Sequence, residues 1–250
     1  MAQRVLPLPA ARLGRAVLTA GAATEVSGVV LLLPDGETDS RRRPSTLSYA
    51  AQLPFARTLA RTGRADGLAV HVVRYRTRGW NDGADPAADA LWAADEVVRR
   101  YGDIPVCLAG HGMGGRAALR GAGHPAVNSV LAMAPWLPEG AEPEPVKQLA
   151  GRRVLIVHGT NDARTDPELS YRLAERAKKS NRDTCRFEVH SDGHALRQHR
   201  AEVVALAADF IGGSLFARSY ARPVADAFAA PPPLGLRMPL AAGFGRSLRH

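Results

Sequence analysis

Two patterns of apolar positions alternate along the middle of the chain. The first is a short continuous apolar run bounded by turn residues: Val29–Leu33, Leu68–Val73, Ile104–Ala109, Val127–Ala134 and Val154–Val157, with a more mixed run at Cys185–Val189. Unbroken runs of Val, Ile and Leu mark strands covered on both faces, as in a parallel sheet. The second is an amphipathic helical pattern. In Pro86–Tyr101 the apolar stripe reads Leu91, Ala94, Val98 and Tyr101, with Asp85 placed as N-cap and Pro86 at the first helical position. Asp166–Pro167 repeats that start signal before 168–179, and further helices are predicted at 46–63, 114–123 and 199–212. Strands alternating with helices predict an α/β fold: a mostly parallel, doubly wound sheet with helices on both faces.

The predicted organisation is one domain over 1–212, followed by a Pro/Ala/Arg-rich tail over 213–250 that carries Pro231–Pro233. Such a composition predicts a poorly ordered or loosely draped tail, with a partner-binding arm as the alternative. The 250 residues are 46% hydrophobic and 23% charged, enough to bury a sizeable core. No apolar stretch is long enough to span a bilayer. Arg4, Arg12 and Arg15 are scattered through the first 20 residues instead of preceding an apolar run, which argues against a secretory signal and for a cytoplasmic location. Cys107 and Cys185 lie in predicted strands, outside any CxxC or Cys/His cluster, so neither a disulfide framework nor a metal site is expected.

The net charge is +9, which raises the question of nucleic acid. Residues 1–20 carry +3 and residues 213–250 carry +4, leaving +2 for everything between. The excess sits on terminal segments, so no compact phosphate-binding face is indicated and no nucleic-acid partner is expected. The basic residues are 30 arginines and only three lysines, a bias that reads as base composition of the genome.

In an open parallel sheet, ligands bind beyond the carboxyl ends of the strands. Three turns there carry chemistry. Gly110-His111-Gly112-Met113-Gly114-Gly115 follows the 104–109 strand, His158-Gly159-Thr160-Asn161-Asp162 follows the 154–157 strand, and Ser191-Asp192-Gly193-His194 follows the 185–189 strand. Over roughly residues 25–212 the chain resembles the α/β-hydrolase superfamily. It is most similar to small bacterial esterases, lipases and serine-aminopeptidase-like members, whose nucleophile, acid and base come in this chain order. The resemblance implies a small-molecule substrate and no cofactor. The family's elbow reads Gly-x-nucleophile-x-Gly, and here the central position is Gly112, which has no reacting atom. Asp162 falls at the acid's position and His194 at the base's. Asp166 is better explained as a helix cap. His190, His199 and His111 are read as structural or surface residues.

The resemblance places the backbone oxyanion hole at Met113 and in the loop Pro34-Asp35-Gly36-Glu37, with Gly36 as the second donor. Asp35 and Glu37 put carboxylates beside a site built for a developing negative charge. They are expected to point to solvent; the alternatives are a loop that has drifted from acyl chemistry, or a new acid or base. Trp80, Asn81, Trp136, Arg76 and Arg78 are expected on the carboxyl-end face, the indoles as an apolar wall. The segment where the family inserts a lid spans only 136–150, so little or no lid is expected. Three readings remain at this point: a serine-hydrolase lineage without its nucleophile, an enzyme using His194–Asp162 as a general base for lyase, cyclase or isomerase chemistry, or a non-catalytic binding protein. The sequence leaves the oligomeric state open.

Overall fold

A computed structural model describes residues 10–17, 25–81, 85–140 and 143–246. Its strands are β1 (Arg12–Leu13), β2 (Gly28–Leu33), β3 (Leu68–Arg74), β4 (Val106–His111), β5 (Val127–Met133), β6 (Arg153–Gly159), β7 (Thr184–Val189) and β8 (Met238–Pro239). They form one sheet in the order β1-β3-β2-β4-β5-β6-β7-β8. All neighbours pair in parallel except β1, which lies antiparallel on β3. The helices are α1 (Thr46–Thr62), α2 (Asp85–Tyr101), α3 (Met113–Gly121), α4 (Pro167–Ser180), α5 (Arg200–Phe216) and α6 (Arg222–Ala229).

The continuous apolar runs are explained by burial on both faces. Along β2, Val29, Leu31 and Leu33 enter one core together with α2, α3 and α4. Val30 and Leu32 enter the other, with α1, α5 and α6. Period-two alternation therefore sorts one apolar strand between two cores. The expected doubly wound α/β sheet is present.

Two expectations are corrected. In α2 the buried apolar residues are Pro86, Ala87, Ala90, Ala93, Ala94 and Val97, while Leu91 and Val98 are 38% and 37% exposed. Alanines let α2 approach the sheet and α3 closely, so the helix presents its small residues inward and its large ones outward. The tail also differs. Helix α5 continues to Phe216, and the chain then forms α6 and adds β8 beside β7. Val224, Ala227, Leu236 and Leu240 are buried there. Their apolar side chains secure a segment that looked too rich in Pro and Arg to pack. Residues 247–250 lie outside the described residues.

Candidate active site

The chain turns from β4 into α3 at Gly112, whose backbone has φ +57° and ψ −120°. An L side chain is strained in that conformation, and glycine is not. The flanking glycines are required by close approach. A Cβ on Gly110 would lie 2.1 Å from the carbonyl oxygen of Gly114, and one on Gly114 would lie 1.9 Å from that of Leu33. The tight strand–turn–helix elbow is thus intact, with no side chain at its apex.

Another residue fills the space. A Cβ built on Gly112 would stand 2.2 Å from Oδ1 of Asp35. That same oxygen accepts hydrogen bonds from the backbone N–H groups of Met113 and Gly36, each at 2.9 Å. The two expected oxyanion-hole donors do converge on one point, and an internal carboxylate oxygen occupies it. Asp35 therefore does not point to solvent as expected. Two backbone donors and a neighbouring imidazole offer its charge more than the loop's outer face does. Burial raises the Asp35 carboxyl's pKa, but His194, the Met113 N–H, His111 and Arg164 together outweigh it and hold the group below the ordinary carboxylate value. Its other oxygen, Oδ2, stands 3.3 Å from the guanidinium of Arg164 and 3.7 Å from Nε2 of His194.

His194 and Asp162 meet as the resemblance implies. Nδ1 of His194 donates to Oδ2 of Asp162 at 2.8 Å. Asp162 is itself anchored: Oδ1 accepts from the N–H groups of Arg164 and Thr165, and Oδ2 accepts from the Thr165 hydroxyl at 2.6 Å and from Nε2 of His158 at 3.1 Å. Burial opposes ionisation of Asp162, yet His158, Thr165 and His194 drive its pKa far below the usual range. Burial likewise opposes protonation of His194, and the carboxylates of Asp35 and Asp162 overcome it, raising its pKa. The His111 ring lies edge-on to the His194 ring, with centroids 4.6 Å apart, and His111 Nε2 donates to the His194 carbonyl oxygen at 2.7 Å. Burial and the adjacent His194 lower the pKa of His111. The sequence reading missed this role of His111, and it missed His158, Thr165 and Arg164. The Asp-x-x-Thr spacing of 162–165, typical of a side chain folding onto its own turn, was the available signal for Thr165.

The centre opens into a cleft of about 520 Å³ lined by Asp35, Met113, Trp136, Arg164, Thr165 and His194, among others. Trp136 belongs to it. Trp80 and Asn81 do not. Trp80 is buried against the Arg116 guanidinium, 4.0 Å from the ring centroid. Asn81 is a loop staple, bonded to the Ser40 N–H, Thr77 and Asp85. Arg76 pairs with Asp89, and Arg78 with Glu37. Asp166 caps α4 through the Glu168 N–H, as expected. His190 is exposed, and His199 lies 3.4 Å from Asp192. Asp192 holds the histidine loop by accepting from the N–H groups of Gly193 and His199.

No protein-family model matches the sequence, and no curated protein matches it. Solved structures do match the fold. An esterase from Pyrococcus furiosus superposes with a TM-score of 0.58 at 16% identity, over 76% of this chain and 84% of that one. A lid-less α/β serine hydrolase from Xanthomonas campestris gives 0.57 at 16% identity, over 84% and 89%. An α/β serine hydrolase homologue from Coxiella burnetii gives 0.56 at 16% identity, over 81% and 97%. The chain has an α/β-hydrolase fold. Among the described residues, no helix is long and apolar enough to cross a membrane.

Proposed function

We propose that this protein derives from lid-less serine hydrolases acting on carboxylic esters, thioesters or amides. Seryl acyl-enzyme chemistry at the elbow has been given up. The attacking group is a water molecule activated at the Asp35–His194–Asp162 centre, on a small substrate held in the open cleft. One observation carries this reading: Asp35 Oδ1 stands where a Cβ on Gly112 would be and accepts from the Met113 and Gly36 N–H groups, the two donors expected of an oxyanion hole. Loss of a seryl nucleophile costs on the order of 10⁶ in kcat. A site merely awaiting its serine would keep the hole free, whereas here the loop has moved a carboxylate into it. The well-anchored Asp162 and His194 support continued use of the pair in activating that water.

The test is a set of four proteins assayed on p-nitrophenyl acetate and butyrate: wild type, Gly112→Ser, Gly112→Ser/Asp35→Gly, and the double variant with His194→Ala. The double variant is expected to show burst-phase, His194-dependent turnover. Gly112→Ser alone should fall short of it, because its Cβ and the Asp35 carboxylate compete for one space and the displaced carboxylate stays beside the hole, opposing the developing negative charge. Equal activity in the single and double variants would show that Asp35 does not block the route. Absence of turnover in every variant would favour a ligand-binding role for the cleft.

A further inference from the structure

We propose that Asp35, His111 and His194 form a binding site for a divalent transition-metal cation of the zinc class. The inference rests on the water-activation reading above and names what ionises the water. Among the described residues these three each offer a ligand atom within 4.8 Å of the other two, and none of the three is exposed.

The hydrogen bonds around them arrange both imidazoles as ligands. A carbonyl oxygen only accepts, so His111 carries its proton on Nε2, bonded to the His194 carbonyl, and Nδ1 keeps its lone pair. His194 donates from Nδ1 to the Asp162 carboxylate, which leaves the lone pair on Nε2. That nitrogen is buried and has no hydrogen-bond partner among the described residues. A metal-binding histidine typically has its other N–H held by a carboxylate or a backbone carbonyl, which fixes tautomer and ring orientation. Here one imidazole has each kind of anchor. Asp35 supplies a single oxygen, because Oδ1 is taken by the Met113 and Gly36 N–H groups and Oδ2 is left facing His194.

The geometry is near what such a cation needs. Bonds of about 2.0–2.1 Å in a tetrahedron set neighbouring ligand atoms roughly 3.4 Å apart. The Asp35 Oδ2 to His194 Nε2 distance is 3.7 Å. With all three ligand atoms within 4.8 Å of one another, no pair must close by more than about 1.4 Å, within reach of small side-chain rotations. Two imidazoles and one carboxylate suit zinc, cobalt, nickel or iron better than magnesium or calcium. The competing charge is Arg164, 3.3 Å from Asp35 Oδ2 on a side chain that is 60% exposed and free to swing out. Three protein ligands leave a fourth position for water, whose pKa such a cation lowers to about 7. Ester hydrolysis then needs no covalent intermediate. The hydroxide oxygen bonds to the acyl carbon, the carbon–alkoxy bond breaks, and the proton released when the water ionised reaches the alkoxide through the open cleft.

The experiment is titration of the chelator-stripped full chain with Co²⁺, read by visible absorption, and equilibrium dialysis against Zn²⁺, read by elemental analysis. We expect one equivalent per chain and the visible bands of four- or five-coordinate cobalt. His111→Ala and Asp35→Asn should weaken binding by at least about tenfold, and Asp162→Asn by about 10- to 100-fold through the lost anchor. Arg164→Ala should tighten it. Thermal unfolding of each variant establishes that it is folded, and the wild-type stoichiometry does not depend on any variant. Substoichiometric binding by the wild type overturns the proposal, as does binding unchanged in both His111→Ala and Asp35→Asn. The ester assays of the Gly112 and Asp35 variants, run in chelator, stand apart. If the double variant gains seryl turnover there while the wild type takes up no Co²⁺, the cation fails and the serine-hydrolase lineage with Asp35 in the nucleophile's space stands.

Discussion

Oδ1 of Asp35 and a Cβ on Gly112 cannot coexist: the two would stand 2.2 Å apart. The pair is therefore energetically coupled through excluded volume, independent of any chemistry. Gly112→Ala should cost roughly 1–3 kcal/mol for the strained backbone. A further amount should come from expelling the carboxylate from its two N–H donors. In an Asp35→Gly background only the backbone cost should remain. Urea unfolding of the wild type, both single variants and the double variant measures the coupling. Additive effects would mean that Asp35 leaves the hole at no cost.

The His194–Asp35 contact also sets a pH signature. The His194 pKa is raised and the Asp35 pKa lowered, each partly by the other. A raised imidazole pKa contributes stability below about 6.5 that is lost as pH rises through the folded value. A depressed carboxyl contributes stability above about 3.9 that is lost as pH falls. The contact is thus worth most between roughly pH 4 and 6.5. Asp35→Asn should lower the His194 pKa, read from its imidazole proton resonances. The stability gap to wild type should be widest in that window and narrow above it. An unchanged His194 pKa in Asp35→Asn would place Asp35 away from the imidazole.

Most of the fold was legible because it rests on local pattern. The runs at 29–33, 68–73 and 127–134 are apolar because strands buried twice have no polar face, and the Asp166–Pro167 start signal is a local hydrogen bond and a fixed φ. The pairing of Asp162 with His194 followed from the resemblance carried by the turns after two strands. Asp35 was not legible in the same way. Its loop position was clear, but its rotamer is decided by donors from Gly36 and Met113, the latter 78 positions away, and by an imidazole on a third loop. The α2 stripe failed for a related reason. Hydrophobicity favoured Leu91 and Val98, whereas close packing favoured Ala90 and Ala93, with Ala94 common to both. The tail's Leu236 and Leu240 become core only because β7 offers a free edge.

Asp162 is the most heavily supported charge in the site. Its side chain is fully buried, and it accepts from Thr165, His158 and His194 and from two backbone N–H groups. Asp162→Ala removes the acceptor for all of them and leaves Nε2 of the buried His158 with the longer contact to the Thr165 carbonyl oxygen, at 3.3 Å. Breaking a buried charged pair on one side typically costs about 3–5 kcal/mol. We expect Asp162→Ala to lose roughly that amount in chemical denaturation, and Asp162→Asn to lose less, since its amide oxygen still accepts. A loss below 1 kcal/mol would mean that the network is not formed in solution.

Arg116 carries a last, separate expectation. It is buried between Trp80 and Trp136, its guanidinium 4.0 and 4.8 Å from their centroids, and bonded to the buried Glu144 at 2.9 Å. Trp136 lines the cleft, so this stack fixes one of its walls. Arg116→Met keeps apolar bulk but leaves the buried Glu144 carboxylate with Arg120 as its one remaining ion-pair partner among the described residues. The variant should lose about 3 kcal/mol, and adding Glu144→Gln should return part of it, because the second change removes the uncompensated charge. With the indoles no longer clamped, Trp136 should become more accessible to acrylamide quenching in the single variant. Recovery of stability without recovery of Trp136 protection would separate the ion pair's role from the cation–π stack's. Full stability in Arg116→Met would show that neither interaction holds the wall.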